Sequence, residues 1–487
     1  MGVFDQYIPD WLQVISAVFL LTSIAIAVII VLEKRSPFKT AAWILVLVLI
    51  PVLGLIFYLF FGQDYRKRKI FSRKGLHELG KLRLLISNQL RQINKKNFNF
   101  HSIPDEKEKL ISLLLKNSNA LLTTGNNAKI LNNGKTTFNE IFNSIEKAKH
   151  HIHLEYYIID DDEIGNRLKQ LLIKKRKEGV EVRVIVDDVG SWGLKKKFFR
   201  ELISKGVEIY PFMKVRFPRL TSKLNFRNHR KIAIIDGTTG YTGGINFADR
   251  YLKGIKKIGP WRDTHLKIEG DAVACLQVIF SADWFFVSRQ NLGGNNYYTK
   301  FTEGPGIPIQ ISTSGPDSDW ESIGQAFFTA ITGAKKTVYL TTPYLIPPQY
   351  ILAALTTSAL GGIDVRIIIP GKSDARFSKW CSFSFVQKLL EAGVRMYFYQ
   401  KGFIHSKLLI VDSVISSIGT TNLDFRSIET NFEINAFIYD ENFTKNLENN
   451  FIEDLSESRE IILEEWKQRK WYKKLQESFA HVFSPML

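Results

Sequence analysis

The sequence predicts an α/β protein with two pseudo-symmetric lobes, each a mixed sheet flanked by helices, behind an N-terminal two-helix transmembrane hairpin. Three observations carry this. The pattern H-x-K-x4-D occurs twice, as His229-Arg230-Lys231 with Asp236 and as His405-Ser406-Lys407 with Asp412; Gly243 and Gly419 each follow their His by fourteen residues, and Asn246 and Asn422 lie three further on. Upstream, Val182-Arg183-Val184-Ile185 matches Val365-Arg366-Ile367-Ile368, and Lys205-Gly206-Val207 matches Ala392-Gly393-Val394. A period this long that occurs only twice indicates a duplicated domain, not a solenoid. Third, residues 12–32 and 41–61 are apolar runs, each long enough as a helix to cross a bilayer core of about 30 Å.

The first element, residues 1–64, is read as the hairpin. It lacks a signal peptide's basic start, since only Asp5 and Asp10 precede the first run, and Glu33-Lys34-Arg35-Ser36-Pro37 stands where a cleavage site would be. Trp11, Trp43 and Tyr58 are candidate interface anchors. Arg66, Lys67, Arg68, Lys69, Arg73 and Lys74 outnumber the Lys34, Arg35 and Lys39 of the connector, which places the large C-terminal part and both termini on the cytoplasmic side of the membrane. The basic connector leaves a re-entrant hairpin as the alternative.

Residues 65–117 read as a basic, partly helical neck. The first lobe, 118–305, opens with a strand at 129–133 and continues as helix 138–149, strand 151–159, helix 165–177, strand 180–186, helix 196–204 and strand 207–212. The second, 306–487, repeats the order: helix 322–333, strand 337–342, helix 349–358, strand 365–369, helix 382–392 and strand 395–399. Strands alternating with helices imply α/β layers. After Asp440 a single long charged helix carrying Trp466, Trp471 and Tyr472 is expected.

Composition narrows the partners. With 45% hydrophobic and 23% charged residues the chain is not disordered, and its two cysteines, Cys275 and Cys381, are too few for a disulfide framework. A net charge of +18 calls for an anionic partner, and the apolar runs favour an acidic lipid surface over nucleic acid. Lys195-Lys196-Lys197, Lys214, Arg216, Arg219, Lys223, Arg227 and Arg230, interleaved with Phe198, Phe199, Phe212, Phe217 and Leu220, are the expected contact with head groups.

The repeated motif carries the chemistry. On a strand, His229 and Lys231 share a face while Asp236 points the other way, and the same parity holds for His405, Lys407 and Asp412. Each His and Lys can therefore meet a substrate together, while each Asp braces its own lobe. Two Lys and two His in one cleft suit phosphodiester chemistry: lysine holds anionic oxygens, one imidazole attacks phosphorus, and the other transfers protons. Asn246 and Asn422 can donate to the transferring group. Asp263 and Glu433, each opening the strand after its Gly-x-x-Asn segment, are candidates to hold an imidazole nitrogen. The histidines lack the close His, Cys or acid spacing of a zinc site, and no metal or other cofactor is expected.

On these motifs the chain resembles the phospholipase D superfamily and, more narrowly, the bacterial cardiolipin synthases. The resemblance takes in both H-x-K-x4-D motifs, Ala42-Trp43-Ile44-Leu45 with Pro51, Gly54, Tyr58 and Gly62, and His153-Leu154-Glu155-Tyr156-Tyr157-Ile158. It extends to Trp261-Arg262-Asp263, Ser314-Gly315-Pro316-Asp317 and the terminal Phe483-Ser484-Pro485-Met486-Leu487. It implies two phospholipase D-like lobes and transfer of a phosphatidyl group between two phosphatidylglycerol molecules, giving cardiolipin and glycerol without nucleotide or metal. His229 is then the nucleophile and His405 the acid and base, with Glu433 orienting His405 and Asp263 its counterpart for His229. Gly243-Gly244 and Gly419-Thr420 depart from the usual Gly-Ser, which leaves any hydroxyl contact there in question. The alternatives are a phospholipase D that uses water as acceptor, and a catalytically idle membrane scaffold; acyl preference and oligomeric state are left open.

Overall fold

A computed structural model describes residues 10–32, 37–50, 54–55, 58, 79–94, 107–215, 226–292, 297–298 and 304–486. The chain divides into two compact units, Met1–Ser72 with Val215–Leu224, and the remainder.

In the first unit, helices Asp10–Leu32 and Pro37–Leu49 pack through Ile30, Leu47 and Tyr58. Trp43 and Tyr58 meet edge to face at 5.5 Å. Counting only described residues, no helix is long and apolar enough to cross a membrane. The charges that set the expected orientation, Lys34 and Arg35 and the run from Arg66 to Lys74, lie outside the described residues, as do Arg216, Phe217, Arg219, Leu220 and Lys223.

The second unit holds both lobes. Its first sheet has seven strands in the order Asn126–Asn132, Thr264–Gly270, Thr239–Gly243, Lys231–Ile235, His151–Tyr156, Glu181–Asp187 and Glu208–Phe212. The second repeats that order with Ile309–Ser314, Glu433–Ile438, Ile415–Gly419, Leu408–Val411, Thr337–Thr341, Asp364–Pro370 and Arg395–Tyr399. In each sheet the last three strands run parallel, joined by helical crossovers, and the motif strand pairs antiparallel to the first of them. This is the mixed sheet that the alternation of strand and helix predicts. The motif strands are buried throughout, as central strands must be when both faces are covered.

Local signals place the helices. Asp162 and Asp440 accept from the third residue on, Gly165 N at 3.0 Å and Phe443 N at 2.7 Å, and so start helices Glu163–Lys177 and Glu441–Ser456. Gly206 and Gly393, at φ of 82° and 89°, end helices Lys196–Ser204 and Arg376–Glu391 where a side chain would be strained.

The second sheet gains one strand at each edge, and both depart from expectation. Leu122–Thr123, expected in the first lobe, pairs with Ile309–Ser314 of the second. Gln310 holds the incoming chain by donating to Ile111 O and Ala120 O at 3.2 and 2.7 Å. At the other edge, the single long helix expected after Asp440 is broken. Helix Glu441–Ser456 stops, Ser458–Glu460 pairs with Arg395–Tyr399, and Leu463–Lys467 and Trp471–Val482 follow as separate helices. Closing an exposed sheet edge with a strand, reinforced by Arg395 on Glu460 at 2.9 Å, outweighs continued helix.

The basic surface also needs correction. Arg227 and Arg230 are buried, paired with the buried Asp187 (3.1 Å) and Asp283, and Phe198 and Phe212 lie in the core. Lys195, Lys196, Lys197 and Lys214 are exposed as expected.

Candidate active site

Two backbone sutures join the lobes, and both end at a motif histidine. His229 N donates to Phe432 O at 2.9 Å while Phe432 N donates to Arg227 O. In the equivalent place His405 N donates to Arg262 O at 2.7 Å, within a short parallel ladder of Phe403–Ile404 on Trp261–Arg262. Gly402 permits the approach, because a Cβ there would run into the Pro260 backbone. Asp187 pins the loop before His229, accepting from Asn228 N at 2.8 Å and from Arg227.

The register of each suture brings the next residue of the partner strand, a carboxylate, to the imidazole. His229 Nδ1 donates to Glu433 at 2.9 and 3.0 Å, and His405 Nδ1 to Asp263 Oδ2 at 2.7 Å. The expected pairing is therefore reversed: Glu433 holds His229 and Asp263 holds His405, each across the lobe boundary. Both carboxylates are fully buried. With Nδ1 engaged, each ring has Nε2 left for chemistry.

The two Gly-rich turns serve these carboxylates differently. Thr420 Oγ1 donates to Glu433 Oε2. Gly244 supplies no hydroxyl, and a Cβ there would collide with Asp263, whose Oδ1 accepts instead from Thr264 N at 2.8 Å.

Both histidines open onto one cavity of about 400 Å³, with Tyr157 and Trp261 walling it beside them at ring distances of 5.0 Å from His229 and His405 respectively. Lys231 and Lys407 stand behind the rings, each donating to the carbonyl of its own histidine. Asp236 and Asp412 take no part in this cluster. They sit at the far end of their strands, about 15 Å on. Each accepts three backbone N–H groups of its own lobe, Asp236 from Lys149, His150 and His151 and Asp412 from Lys335, Lys336 and Thr337, at 2.7 to 3.0 Å.

Asn246 and Asn422 line the cavity unequally. Asn246 accepts from Ile158 N at 3.0 Å and donates to Tyr251, whereas the buried Asn422 Oδ1 has no partner among the described residues. Arg250 and Arg426, with Arg227, add positive charge to the wall, and Tyr344, Asp374 and Asp424 add acceptors and a hydroxyl. None of these was singled out as a site residue from sequence; Arg227 was read as surface.

A profile described as "Cardiolipin synthase, PLD-like domain" matches residues 141–284 and 327–455, and one described as "Phospholipase_D-nuclease N-terminal" matches 20–63. A cardiolipin synthase of Halalkalibacterium halodurans is 42% identical over 476 residues, 97% of this chain and 93% of that protein. The chain belongs to the cardiolipin synthase family. The major cardiolipin synthase ClsA of Bacillus subtilis is 41% identical over 98% of this chain and 99% of its own. The crystal structure of a phosphatidylserine synthase from Haemophilus influenzae shares the fold, with a TM-score of 0.59 at 14% identity, over 79% of this chain and all of that one.

In this member of the cardiolipin synthase family, burial sets the charge of the site. It pushes His229 down to about 4 against the pull of Glu433. It pushes His405 down to about 3, helped by Lys407, whose Nζ lies 3.0 Å from Nδ1. The same cause draws Lys231 down to about 7 and Lys407 to about 8, while burial of Asp263 is outweighed by His405 and Lys407, which hold its carboxyl below the usual range. An anionic phosphodiester entering the cavity favours the protonated form of every one of these bases. Binding of a short-chain phosphatidylglycerol at pH 8 is thus expected to take up about one proton, chiefly on the lysines. Calorimetry in buffers of different ionisation enthalpy measures it; proton release at pH 8 would contradict this electrostatic account.

Proposed function

We propose that the chain transfers a phosphatidyl group from one phosphatidylglycerol to a second, giving cardiolipin and glycerol through a phosphatidyl-histidine. The observation that carries the reading is the pair of imidazoles from opposite lobes, each held at Nδ1 by the other lobe's carboxylate and both facing one cavity. His229 Nε2 attacks phosphorus as the bond to the glycerol oxygen breaks, and protonated His405 gives that oxygen its proton. A head-group hydroxyl of the second lipid then attacks phosphorus while His405 takes its proton and the P–N bond breaks, restoring His229. Asp263 and the substrate's own charge favour the imidazolium that the first step needs. Arg227, Arg250 and Arg426 in the wall stabilise the phosphoryl oxygens, with Lys231 and Lys407 adding their charge from behind the rings, and the Nδ2–H group of Asn422 can donate to them, whereas Asn246 Nδ2 is engaged by Tyr251.

The N-terminal helices supply a membrane anchor in this reading. Packed on each other, they still expose Leu21, Ile24, Val28, Leu45 and Val48 outward, a surface that suits lipid and not water. With the basic run 66–74 after the second stretch, the anchor is a hairpin in the bacterial inner membrane with the lobes on the cytoplasmic side.

Purified enzyme in phosphatidylglycerol bilayers should release one glycerol for each cardiolipin formed. Phosphatidic acid without cardiolipin would make water the acceptor and turn the reading into a hydrolase.

A further inference from the structure

The last helix, Trp471–Val482, turns its apolar side away from the protein. Trp471 is 75% exposed, Leu475 and Phe479 60% each and Val482 72%. At a spacing of four, four and three residues these, with Tyr472, fill an arc of about 100°. The face opposite holds the helix down: Ala480 is fully buried, Glu477 is bound by Arg469 at 2.6 and 2.9 Å, and His481 meets Ser384 at 2.9 Å. A soluble surface rarely gathers so many large apolar side chains in one stripe.

Two further observations say what covers it. Lys470, Lys473 and Lys474 are exposed around the start of the helix, outside the apolar arc, so this end of the helix carries positive charge that complements an anionic surface. The stripe also reaches helix Arg376–Glu391, which contributes to the cavity wall: Phe479 meets Phe483 at 5.2 Å, tilted, and Phe483 meets Phe377 edge to face at 5.9 Å, while Ser378, the residue after Phe377, lines the wall. On the first lobe the exposed Trp192 follows Ser191, whose hydroxyl donates to the carbonyl of Tyr157 in the opposite wall.

We propose that helix Trp471–Val482 is an interfacial helix that lies in the head-group layer of an anionic bilayer and seats the cavity's second-lobe wall on the membrane. It is a contact separate from the N-terminal hairpin and does not depend on which acceptor the enzyme uses. Its partner is the bilayer surface itself, engaged through Trp471, Leu475 and Phe479.

The test uses the full chain in proteoliposomes of phosphatidylcholine with or without phosphatidylglycerol. A Leu475→Cys variant is labelled with an environment-sensitive fluorophore; Cys275 and Cys381 are buried and out of reach of the label. Glu453→Cys, at an exposed position on helix Glu441–Ser456, serves as the aqueous reference. The expected result is blue-shifted emission from position 475, quenched severalfold more by head-group spin-labelled lipid than at 453, and strengthened by phosphatidylglycerol. An aqueous spectrum at 475 would overturn the proposal. So would a blue shift without lipid quenching, which would mean that protein, a second copy or another segment of this chain, covers the stripe. A kinetic arm rests on the proposed reaction: Leu475→Glu with Phe479→Glu should raise KM for bilayer phosphatidylglycerol on the order of tenfold and leave turnover of the monomeric short-chain lipid unchanged. Equal losses on both substrates would assign the stripe a structural role instead. Failure of the parent enzyme to make cardiolipin would refute the reaction alone, because the fluorescence arm needs no turnover.

Discussion

His229→Ala and His405→Ala should each lower cardiolipin formation on the order of 10⁴-fold or more, with the two losses far from additive in the double variant. The reason is that the imidazoles act on one phosphorus atom in sequence, so either loss stops the cycle. Alanine at 229 also strands Glu433, buried and without its main partner, which threatens folding as well as chemistry. His229→Gln separates the two effects, since its amide can still donate to Glu433 but cannot carry a phosphatidyl group. A chain that unfolds as the parent does yet forms no cardiolipin confirms the chemical role. Trapping during turnover and mapping by mass spectrometry should find the phosphatidyl adduct on His229. An adduct on His405 would exchange the two roles, and near-parental turnover in either variant would remove the shared site altogether.

The two lobes were legible because strands and crossover helices are written in local patterns. The apolar runs around Val184 and Ile367 and the glycines at 206 and 393 predict the elements to within a few residues, and the phased motifs predict that they occur twice. Three features escaped for a common reason. The Glu433 to His229 and Asp263 to His405 bonds depend on sutures between distant segments, and duplication alone makes a crossed pairing and a same-lobe pairing equally symmetric. Arg227 and Arg230 read as surface charge until Asp187 and Asp283, 40 and 53 residues away, come to neutralise them in the core. The break after Ser456 depends on a free edge at Arg395–Tyr399 that no local window shows. Asp236 and Asp412, counted with the catalytic residues of the motif as well as read as braces, lie just past the ends of their strands at φ of 54° and 53°, where each accepts backbone N–H groups of its own lobe.

The crossed carboxylates predict a crossed kinetic phenotype, with each loss on the order of 10²- to 10⁴-fold in overall turnover. Glu433→Gln should impair the nucleophile, because His229 then loses the acceptor that fixes its tautomer and supports the charge developing on the ring as the P–N bond forms. Adduct formation slows and none accumulates. Asp263→Asn should impair the proton carrier: His405 already carries its proton reluctantly, pressed by burial and by Lys407, and Asp263 is what opposes them. Departure of the first glycerol and attack by the second lipid both use that proton. The variant's remaining turnover should therefore be limited at one of these two steps. Raising the acceptor concentration cannot restore it, while a donor with a more acidic leaving alcohol recovers the first step selectively. Such a donor should then produce a burst of alcohol and a long-lived adduct on His229 in Asp263→Asn, but no burst in Glu433→Gln. If the two phenotypes were exchanged, each carboxylate would be serving the histidine of its own lobe during turnover, and the sutured geometry would not be the working one.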